Sequence, residues 1–431
     1  MENHLFGSMM PNYLKQILHT QLFSVLNIIF GFGTLFILIK DMPVVEYGEY
    51  VLIQGFIALS GLILSQNIYS YARLHIPGAT VDKQYGYLKT VITIVFSGYI
   101  SIILLSKIFN FEESIWQFFE IDARLGYLIL IMLSFELINL EFMRFFIAIK
   151  KIYLKNYAQF FQKVFVLIAI LVLLYLNLLT LTNFLYIFIV GQLLVFISFM
   201  SAINIRALII ATFITDVVKK GYQVAIPLLP IGLMSIALNY TDTLMIAKFI
   251  DKEHVAQYGF ASQIISIAMM MIGSSVVLTL FPYATEAHNS ANYKQRDMFL
   301  LKMLKFGVVL ALVFYAFVYM FSSFFIDLLS LEKYKNVPEY LMVLGLFPLL
   351  QIFYNVSSHH LQLLRIFKVQ VLIAFSVIIL NLVLNYFLIQ IYGTIGCAYA
   401  SLLSYVALAL IYVTISLKYD QNIIEVINEK R

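Results

Sequence analysis

Charged side chains lie inside segments that are otherwise built to cross a membrane. The apolar run ILIMLSFELINLEFMRFFIAIK contains Glu136, Glu141 and Arg144, and the next apolar run contains Lys163. Near the middle of the chain, LNYTDTLMIAKF contains Asp242. An isolated charge deep in a bilayer costs at least about 2.5–3.5 kcal/mol unless it is paired or reaches water. These groups are therefore candidates for binding an anion, coupling to a cation, or pairing with each other.

Two interpretations of these charges remain open. Glu141 and Arg144 have the i,i+3 spacing at which opposite charges pair on a helix, so they could form a structural ion pair. Alternatively, Arg144 and Lys163 bind an anionic substrate while Glu136, Glu141 and Asp242 serve coupling or gating. Asp242 also has a structural alternative, as a partner for Lys248 or for a free backbone group.

Polar residues recur every three or four positions along five apolar segments. Such faces are rejected by lipid, so they face other helices or water. One interpretation is hydrogen bonding between packed helices, and the other is a shared hydrated cleft that binds substrate. With Arg144 and Lys163, the candidate substrate ligands are Asn27, Gln66, Arg73, Asn239, Asn355 and Arg365.

Two prolines, Pro227 and Pro230, lie early in the seventh apolar segment. Proline removes a backbone donor and clashes with the preceding turn. The sequence therefore predicts that this helix bends or breaks there, which suits a gating element.

The composition requires that these segments lie in a membrane. Of 431 residues, 62% are apolar and 12% are charged, against roughly 45–50% and about 25% in soluble domains. A helix needs about 20 apolar residues to cross a bilayer. Twelve segments meet that length, at about 14–38, 48–70, 88–106, 126–149, 156–176, 184–205, 221–246, 257–281, 303–326, 340–363, 369–389 and 394–416. The fold class predicted is an all-α membrane protein.

The distribution of cations predicts the orientation. With both termini in the cytoplasm, 21 Lys and Arg residues lie on the inner side and seven on the outer side, as the positive-inside rule requires. The net charge of +5 therefore does not indicate nucleic-acid binding. We expect a multi-pass membrane protein with both termini in the cytoplasm.

A weak internal repeat predicts two lobes. VVEYGEYVLIQ at 44–54 is similar to HVAQYGFASQI at 254–264, and each stands at the start of an even-numbered span. We expect a six-helix lobe at 1–206, a cytoplasmic linker at 207–220, a second six-helix lobe at 221–417 around a shared central cavity, and a cytoplasmic tail at 418–431. Parallel repeats of this kind are typical of transporters.

Several classes of function are excluded or disfavoured. Cys397 is the single cysteine, so an intrachain disulfide cannot form, and we expect no metal and no cofactor. The loops are too short for a soluble catalytic domain, so we do not expect an enzyme. The least favoured alternative is a membrane polymerase or glycosyltransferase, since the longest outer loop lacks a recognisable arrangement of acids.

The chain resembles a known family along most of its length. The segments that carry the resemblance are VVEYGEYVLI, MRFFIAIKKIYLKNYAQF, KKGYQVAIPLLP, NYTDTLMIAKF, QYGFASQI and LNYFLIQIYGTIGCAYASLLSY. They are similar to the polysaccharide (O-antigen-type) lipid-linked oligosaccharide flippases of the multidrug/oligosaccharidyl-lipid/polysaccharide exporter superfamily.

The resemblance implies a flippase for an undecaprenyl-pyrophosphate-linked oligosaccharide, a repeat unit of O-antigen or a related surface polysaccharide. It implies a place in the bacterial plasma (inner) membrane and roles in lipopolysaccharide or polysaccharide biosynthesis. As further partners it implies membrane lipid, a polysaccharide polymerase and chain-length machinery. The alternative within the superfamily is an ion-coupled exporter of drugs or organic cations.

Overall fold

The computed structural model describes residues 22–23, 25–65, 68–77, 79–328, 331–364 and 366–429. All regular elements in these ranges are helices, and eleven of the described helices are long and apolar enough to span a membrane. They match the second to twelfth predicted spans. The first predicted span lies partly outside the described residues, and its described portion is helical over 25–41. The predicted all-α membrane class is confirmed.

The chain divides into two compact units, Met1–Leu229 and Pro230–Arg431. The described helices of the first unit are α1 (25–41), α2 (Val44–Ser65), α3 (Tyr69–His75), α4 (Val81–Ile108), α5 (Glu112–Phe118), α6 (Gly126–Ala148), α7 (Ile152–Tyr175), α8 (Leu181–Ala202) and α9 (Ile205–Ile210). The next helix, α10 (Thr215–Phe249), begins before the boundary between the units. The second unit continues with α11 (Lys252–Asn289), α12 (Tyr293–Leu328), α13 (Val337–Leu344), α14 (Phe347–Leu363), α15 (Phe367–Tyr392) and α16 (Thr394–Glu429).

The seventh span does not break at its prolines. The expectation was a bend or a break, and helix α10 continues through both Pro227 and Pro230 without a break. Each proline removes one backbone donor, and helices in membranes tolerate this because neighbouring groups satisfy the freed carbonyl. A break occurs instead in the tenth span, where α13 ends and α14 begins around Gly345 and Pro348. A Cβ on Gly345 would lie 2.6 Å from the backbone oxygen of Leu341, so this tight turn requires glycine.

Two glutamates of the VVEYGEY motif accept hydrogen bonds from backbone N–H groups at the starts of other helices. The Glu46 carboxylate accepts a hydrogen bond from the backbone N–H of Leu181, the first residue of α8. Glu49 Oε1 accepts one from the backbone N–H of Asp122, 2.5 Å away, just before α6. Free N–H groups at a helix start need acceptors, and a negative charge there also interacts favourably with the helix dipole. The motif therefore holds α2 against the starts of α6 and α8.

The predicted linker contains a short helix and is tied to α4. Lys89 Nζ donates to the backbone oxygens of Ile209 at 2.7 Å and Ala211 at 2.9 Å, and Thr90 Oγ1 accepts from the backbone N–H of Ile214 at 2.9 Å. These bonds satisfy backbone groups that the end of α9 leaves open. The segment between α8 and α10 is therefore held against α4 of the first unit by hydrogen bonds.

A side-chain cap fixes the start of α11. Asp251 Oδ1 accepts from the backbone N–H of His254 at 2.8 Å and lies 2.8 Å from its ring Nδ1. Burial alone would raise the pKa of Asp251, but these hydrogen bonds outweigh it and hold the pKa below its ordinary value.

Candidate functional site

A polar cavity of about 310 Å³ lies within the first unit. Helices α1, α2, α6, α7 and α8 contribute its walls. The lining residues are Gly31, Thr34, Tyr50, Glu136, Met143, Gln159, Gln162, Lys163, Val166, Phe184, Phe188, Gln192 and Val195. We call it the N-terminal cavity. It brings together two residues singled out from the sequence, Glu136 and Lys163, and surrounds them with amide and aromatic side chains.

The ammonium of Lys163 has one hydrogen-bond partner within the described part of the chain. Its Nζ donates to the backbone oxygen of Asn27 at 3.0 Å, and the predicted ligand Asn27 thus contributes its main chain. The side chain of Lys163 is half-buried and lies within 4.0 Å of none of the described carboxylates. An ammonium has three donors, so two remain available to a ligand in the cavity.

The carboxylate of Glu136 is held by an amide relay. Gln192 Nε2 donates to Glu136 Oε2 at 3.1 Å. Asn139 Nδ2 in turn donates to both the side-chain oxygen and the backbone oxygen of Gln192, each at 2.9 Å. Gln192 is therefore oriented by α6 on both sides. Glu136 and Lys163 line the same cavity without forming an ion pair with each other. Each side chain can therefore interact with a ligand in the cavity.

Two glycines set how closely the walls approach. A Cβ on Gly31 would lie 3.0 Å from Lys163 Nζ, so α1 leaves space for the ammonium at that position. A Cβ on Gly191 would lie 3.0 Å from Val166 and 3.3 Å from Gln162. The second glycine lets α7 and α8 pack closely, as small residues do between membrane helices.

The other charges of α6 lie outside the lining of this cavity. Arg144 Nη1 is 2.6 Å from Glu141 Oε1, and Glu141 is buried. The guanidinium also stands over the ring of Tyr69 at 5.6 Å, and the Tyr69 hydroxyl donates to the backbone oxygen of Arg144. The spacing that suggested a pair therefore corresponds to a formed pair. This arrangement fits the structural interpretation of Arg144 and Glu141 and leaves Lys163 as the available cation of the cavity lining.

The remaining candidate ligands and gating prolines lie outside the described residues or are not among the described side chains that line the N-terminal cavity. Gln66 and Arg365 lie outside the described residues. Arg73 belongs to α3 and Pro227 to α10, and for these two the backbone alone is described. Pro230 is buried in α10. Asn355 is half-buried on α14, with its Nδ2 3.9 Å from where a Cβ on Gly273 would be.

In the second unit, Asp242 is the centre of a buried hydrogen-bond network. Ser401 Oγ lies 2.9 Å and 2.7 Å from its two carboxylate oxygens, and Asn385 Nδ2 donates to Oδ1 at 2.9 Å. The hydroxyl of Tyr258 donates to Oδ2. Each partner is neutral, and Asp242 forms no ion pair with Lys248 or with another described residue. A single buried negative charge is thus held by hydroxyl and amide groups from α11, α15 and α16.

The network extends beyond the carboxylate and borders a small void. Asn381 accepts from Asn385 at 3.2 Å and donates to Ser401 at 3.1 Å. A void of about 10 Å³ adjoins Asp242 and is also lined by Asn239; roughly 10–15 Å³ is what one water needs. Carboxylate, hydroxyl and amide oxygens are the ligands that hard cations prefer. The site can therefore hold a proton on Asp242, or a water or cation beside it.

Sequence reasoning missed the partners of both charges. Gln192 was overlooked because α8 is otherwise apolar, yet a lone amide beside Gly191 was a usable signal. Asn381 and Asn385 have the i,i+4 spacing of residues on one helix face, and this spacing in an otherwise apolar span was a usable signal.

Comparison with known proteins finds a family similarity in the second half of the chain. Residues 227–387 match the MatE family model. The uncharacterized membrane protein MJ1375 of Methanocaldococcus jannaschii is 29% identical over 172 residues, which are 39% of this chain and 38% of that protein. The chain thus aligns with well under half the length of this curated relative.

Two solved structures have folds similar to this chain over most of its length. An inward-facing multidrug resistance MATE family transporter of the MOP superfamily matches with a TM-score of 0.71 at 13% identity, covering 91% of this chain and 96% of that one. The lipid II flippase MurJ in an inward closed conformation matches with a TM-score of 0.69 at 14% identity, covering 94% and 87%. The chain is therefore similar to the MatE family model over residues 227–387, and its fold is that of the solved MATE transporter and MurJ structures.

Proposed function

We propose that this protein is a flippase that moves an undecaprenyl-pyrophosphate-linked oligosaccharide from the cytoplasmic to the outer leaflet by alternating access. The MatE match and the fold support a transporter, and a transporter carries out no covalent step. The side chains that line the N-terminal cavity support a substrate that combines an anionic group with many hydroxyls. Either an O-antigen repeat unit or a related surface saccharide fits this description.

The observation that carries the proposal is the open ammonium of Lys163 beside an amide wall. Hydrogen bonds between an ammonium and a phosphate are charge-assisted and roughly twice as strong as neutral ones. Gln159, Gln162 and Gln192 offer both donors and acceptors to sugar hydroxyls. A phosphate at Lys163 would place an attached sugar against these amides.

The membrane potential favours the proposed direction. With the cytoplasm negative, moving one negative charge outward gains about 2.3 kcal/mol per 100 mV. A pyrophosphate-linked head group is anionic, so its export is assisted without any further energy source.

Coupling to a cation is assigned to Asp242. Its carboxylate is buried among neutral groups, and adding a proton or a small cation there removes an uncompensated charge. Binding and release of that charge would favour different arrangements of the helices around α10. In this scheme the coupling residue belongs to the second unit, whereas the substrate ligands of the N-terminal cavity belong to the first.

The second candidate is an exporter of organic cations, and Glu136 favours it. A carboxylate facing a cavity attracts a cationic drug, and Phe184 and Phe188 provide aromatic faces for it. The two candidates predict opposite dependence on the two charges of the cavity.

Proteoliposomes test the proposal directly. Purified protein is reconstituted with a fluorescent lipid-linked oligosaccharide, or with ethidium as an organic cation, and movement of each is measured. We expect the oligosaccharide to be moved, Lys163→Ala to abolish that movement, and Lys155→Ala, a control on the same helix, to retain it. Export of ethidium that requires Glu136, without movement of the oligosaccharide, would establish the second candidate instead.

The setting that goes with this proposal is the bacterial inner membrane, with both termini in the cytoplasm. The proposed partners are the lipid-linked substrate, membrane lipid, and the polymerase and chain-length machinery that extend the exported unit.

A further inference from the structure

A second cavity of the first unit, of about 250 Å³, is apolar and lies between α2, α4, α5 and α6. Phe56 and Leu64 of α2, Tyr99 of α4 and Trp116 of α5 are among its walls. We call it the outer groove, because α5 lies on the side that the sequence predicts to be extracytoplasmic. The residues used above for binding and coupling do not line it.

The shape of the outer groove follows the helix axes. Along α4 it extends from Tyr99 to Ser106, about 10 Å at a rise of about 1.5 Å per residue. Trp116 is part of one wall, and its ring centroid lies 5.2 Å from that of Phe56. Ile63 and Ile102 line the groove and remain 39% and 45% exposed, so the groove has an open apolar side. A narrow groove of this length suits an extended hydrocarbon chain.

Two hydroxyls of the groove lining already have hydrogen-bond acceptors. The Tyr99 hydroxyl donates to the backbone oxygen of Leu130 at 2.7 Å, and Ser106 Oγ to that of Ile103 at 2.9 Å. An apolar cavity of roughly 150 Å³ stays dry and binds benzene, so this larger one is expected to take hydrocarbon rather than water.

Charges at the edge of the groove indicate the head group. Glu112, at the start of α5, lines the groove and forms no ion pair with a described residue. Lys107, at the end of α4, stands over the ring of Tyr127 at 5.6 Å and does not pair with Glu112. A carboxylate and an ammonium that do not neutralise each other are complementary to a head group with both charges. Glu112 and the neighbouring Glu113 disfavour a net negative one.

We propose that the outer groove is a binding site for one acyl chain of an amine-headed zwitterionic phospholipid, whose ammonium is held by Glu112. The chain lies between α2 and α4 with its terminal part near Leu64. An amine head group can donate hydrogen bonds to the carboxylate, whereas a choline head group has no N–H. The site selects phosphatidylethanolamine over phosphatidylcholine and phosphatidylglycerol.

Trp116 is the single tryptophan of the sequence, so its fluorescence reports occupancy of the groove. The full-length protein is reconstituted in three vesicle preparations. Each preparation contains one of the three phospholipids with brominated acyl chains, at the same mole fraction. We expect brominated phosphatidylethanolamine to quench Trp116 with an apparent affinity about two- to fivefold higher than the other two, the preference expected of one exposed ion pair. Equal quenching by all three lipids, or stronger quenching by phosphatidylglycerol, would overturn the proposal.

Three variants separate a built site from general lipid contact. Glu112→Gln should remove the head-group preference and leave quenching by all three lipids at one level. Ser60→Phe, which fills the groove, should reduce the quenching, whereas Ser101→Phe, on an exposed face of α4, should not. If Ser60→Phe fails to fold, the head-group series and Glu112→Gln still decide the matter. A head-group preference that survives in Glu112→Gln contradicts the assigned role of that carboxylate.

Discussion

The Nζ of Lys163 on α7 lies 3.0 Å from the backbone oxygen of Asn27 on α1. This bond links the first described helix to a cation that the sequence places inside an apolar span. A carbonyl orients the ammonium but does not neutralise it, so its charge stays available. The bond therefore keeps Lys163 pointed into the N-terminal cavity while leaving it able to bind an anion.

The first prediction concerns the space that α1 leaves for this ammonium. Gly31→Ala should lower transport of the lipid-linked oligosaccharide by up to roughly tenfold, because small displacements of a positioning group have effects of this order. The added Cβ would lie 3.0 Å from Nζ, and the flexible lysine can move aside. The variant should therefore fold normally. Initial transport rates in proteoliposomes measure the effect.

Gly33→Ala is the matched control for Gly31→Ala. Its Cβ would be 3.7 Å from Leu167, an ordinary packing distance. Both variants replace a glycine of α1 with the same residue, so a shared change in helix stability cancels. Equal transport by the two variants would show that the position of the ammonium is unimportant.

The second prediction concerns Asp242. Asp242→Asn should remove the response of transport to an imposed sodium or proton gradient, since the neutral amide has no charge for a cation to balance. Transport driven by an imposed membrane potential should persist, because it depends on the charge of the substrate. The exposed Asp251→Asn serves as the control. A gradient response that survives in Asp242→Asn would remove this residue from the coupling scheme.

The third prediction concerns the motif at the start of α2. Glu46→Ala should lower the free energy of unfolding by about 1 kcal/mol, because a backbone donor at the start of α8 loses its acceptor. Thermal unfolding in detergent measures the change. Glu113→Ala, which removes an exposed acid of α5 without a described partner, should unfold at the temperature of the unaltered protein. If both variants unfold at that same temperature, the cap at Leu181 contributes no stability.

The spans could be predicted from the sequence because hydrocarbon imposes a length on every crossing helix. The Glu141–Arg144 pair could also be anticipated, since its two members lie on one helix. Hydropathy could not show the interruption at Gly345 and Pro348, because the two helices that flank it are both apolar.

The set of residues that line the N-terminal cavity could not be derived from their spacing in the sequence. Glu136 and Gln192 are 56 positions apart, and periodicity along one helix does not reveal which residue of another helix it meets. The same holds for Asp242 and Ser401, which are separated by 159 positions. Polar residues on a helix face indicate that the face avoids lipid, but only packing decides whether it meets a cavity or another side chain. The central cavity shared by the two lobes stays a prediction.

Binding of an undecaprenyl-pyrophosphate-linked oligosaccharide to the purified protein tests the central claim most directly. We predict that Lys163→Ala weakens the affinity by roughly tenfold or more, the loss expected for a hydrogen bond to a charged group, whereas Lys155→Ala does not. Lys163→Arg, which keeps the charge, should retain part of the affinity. Unchanged affinity in Lys163→Ala, with the protein folded, would contradict the account.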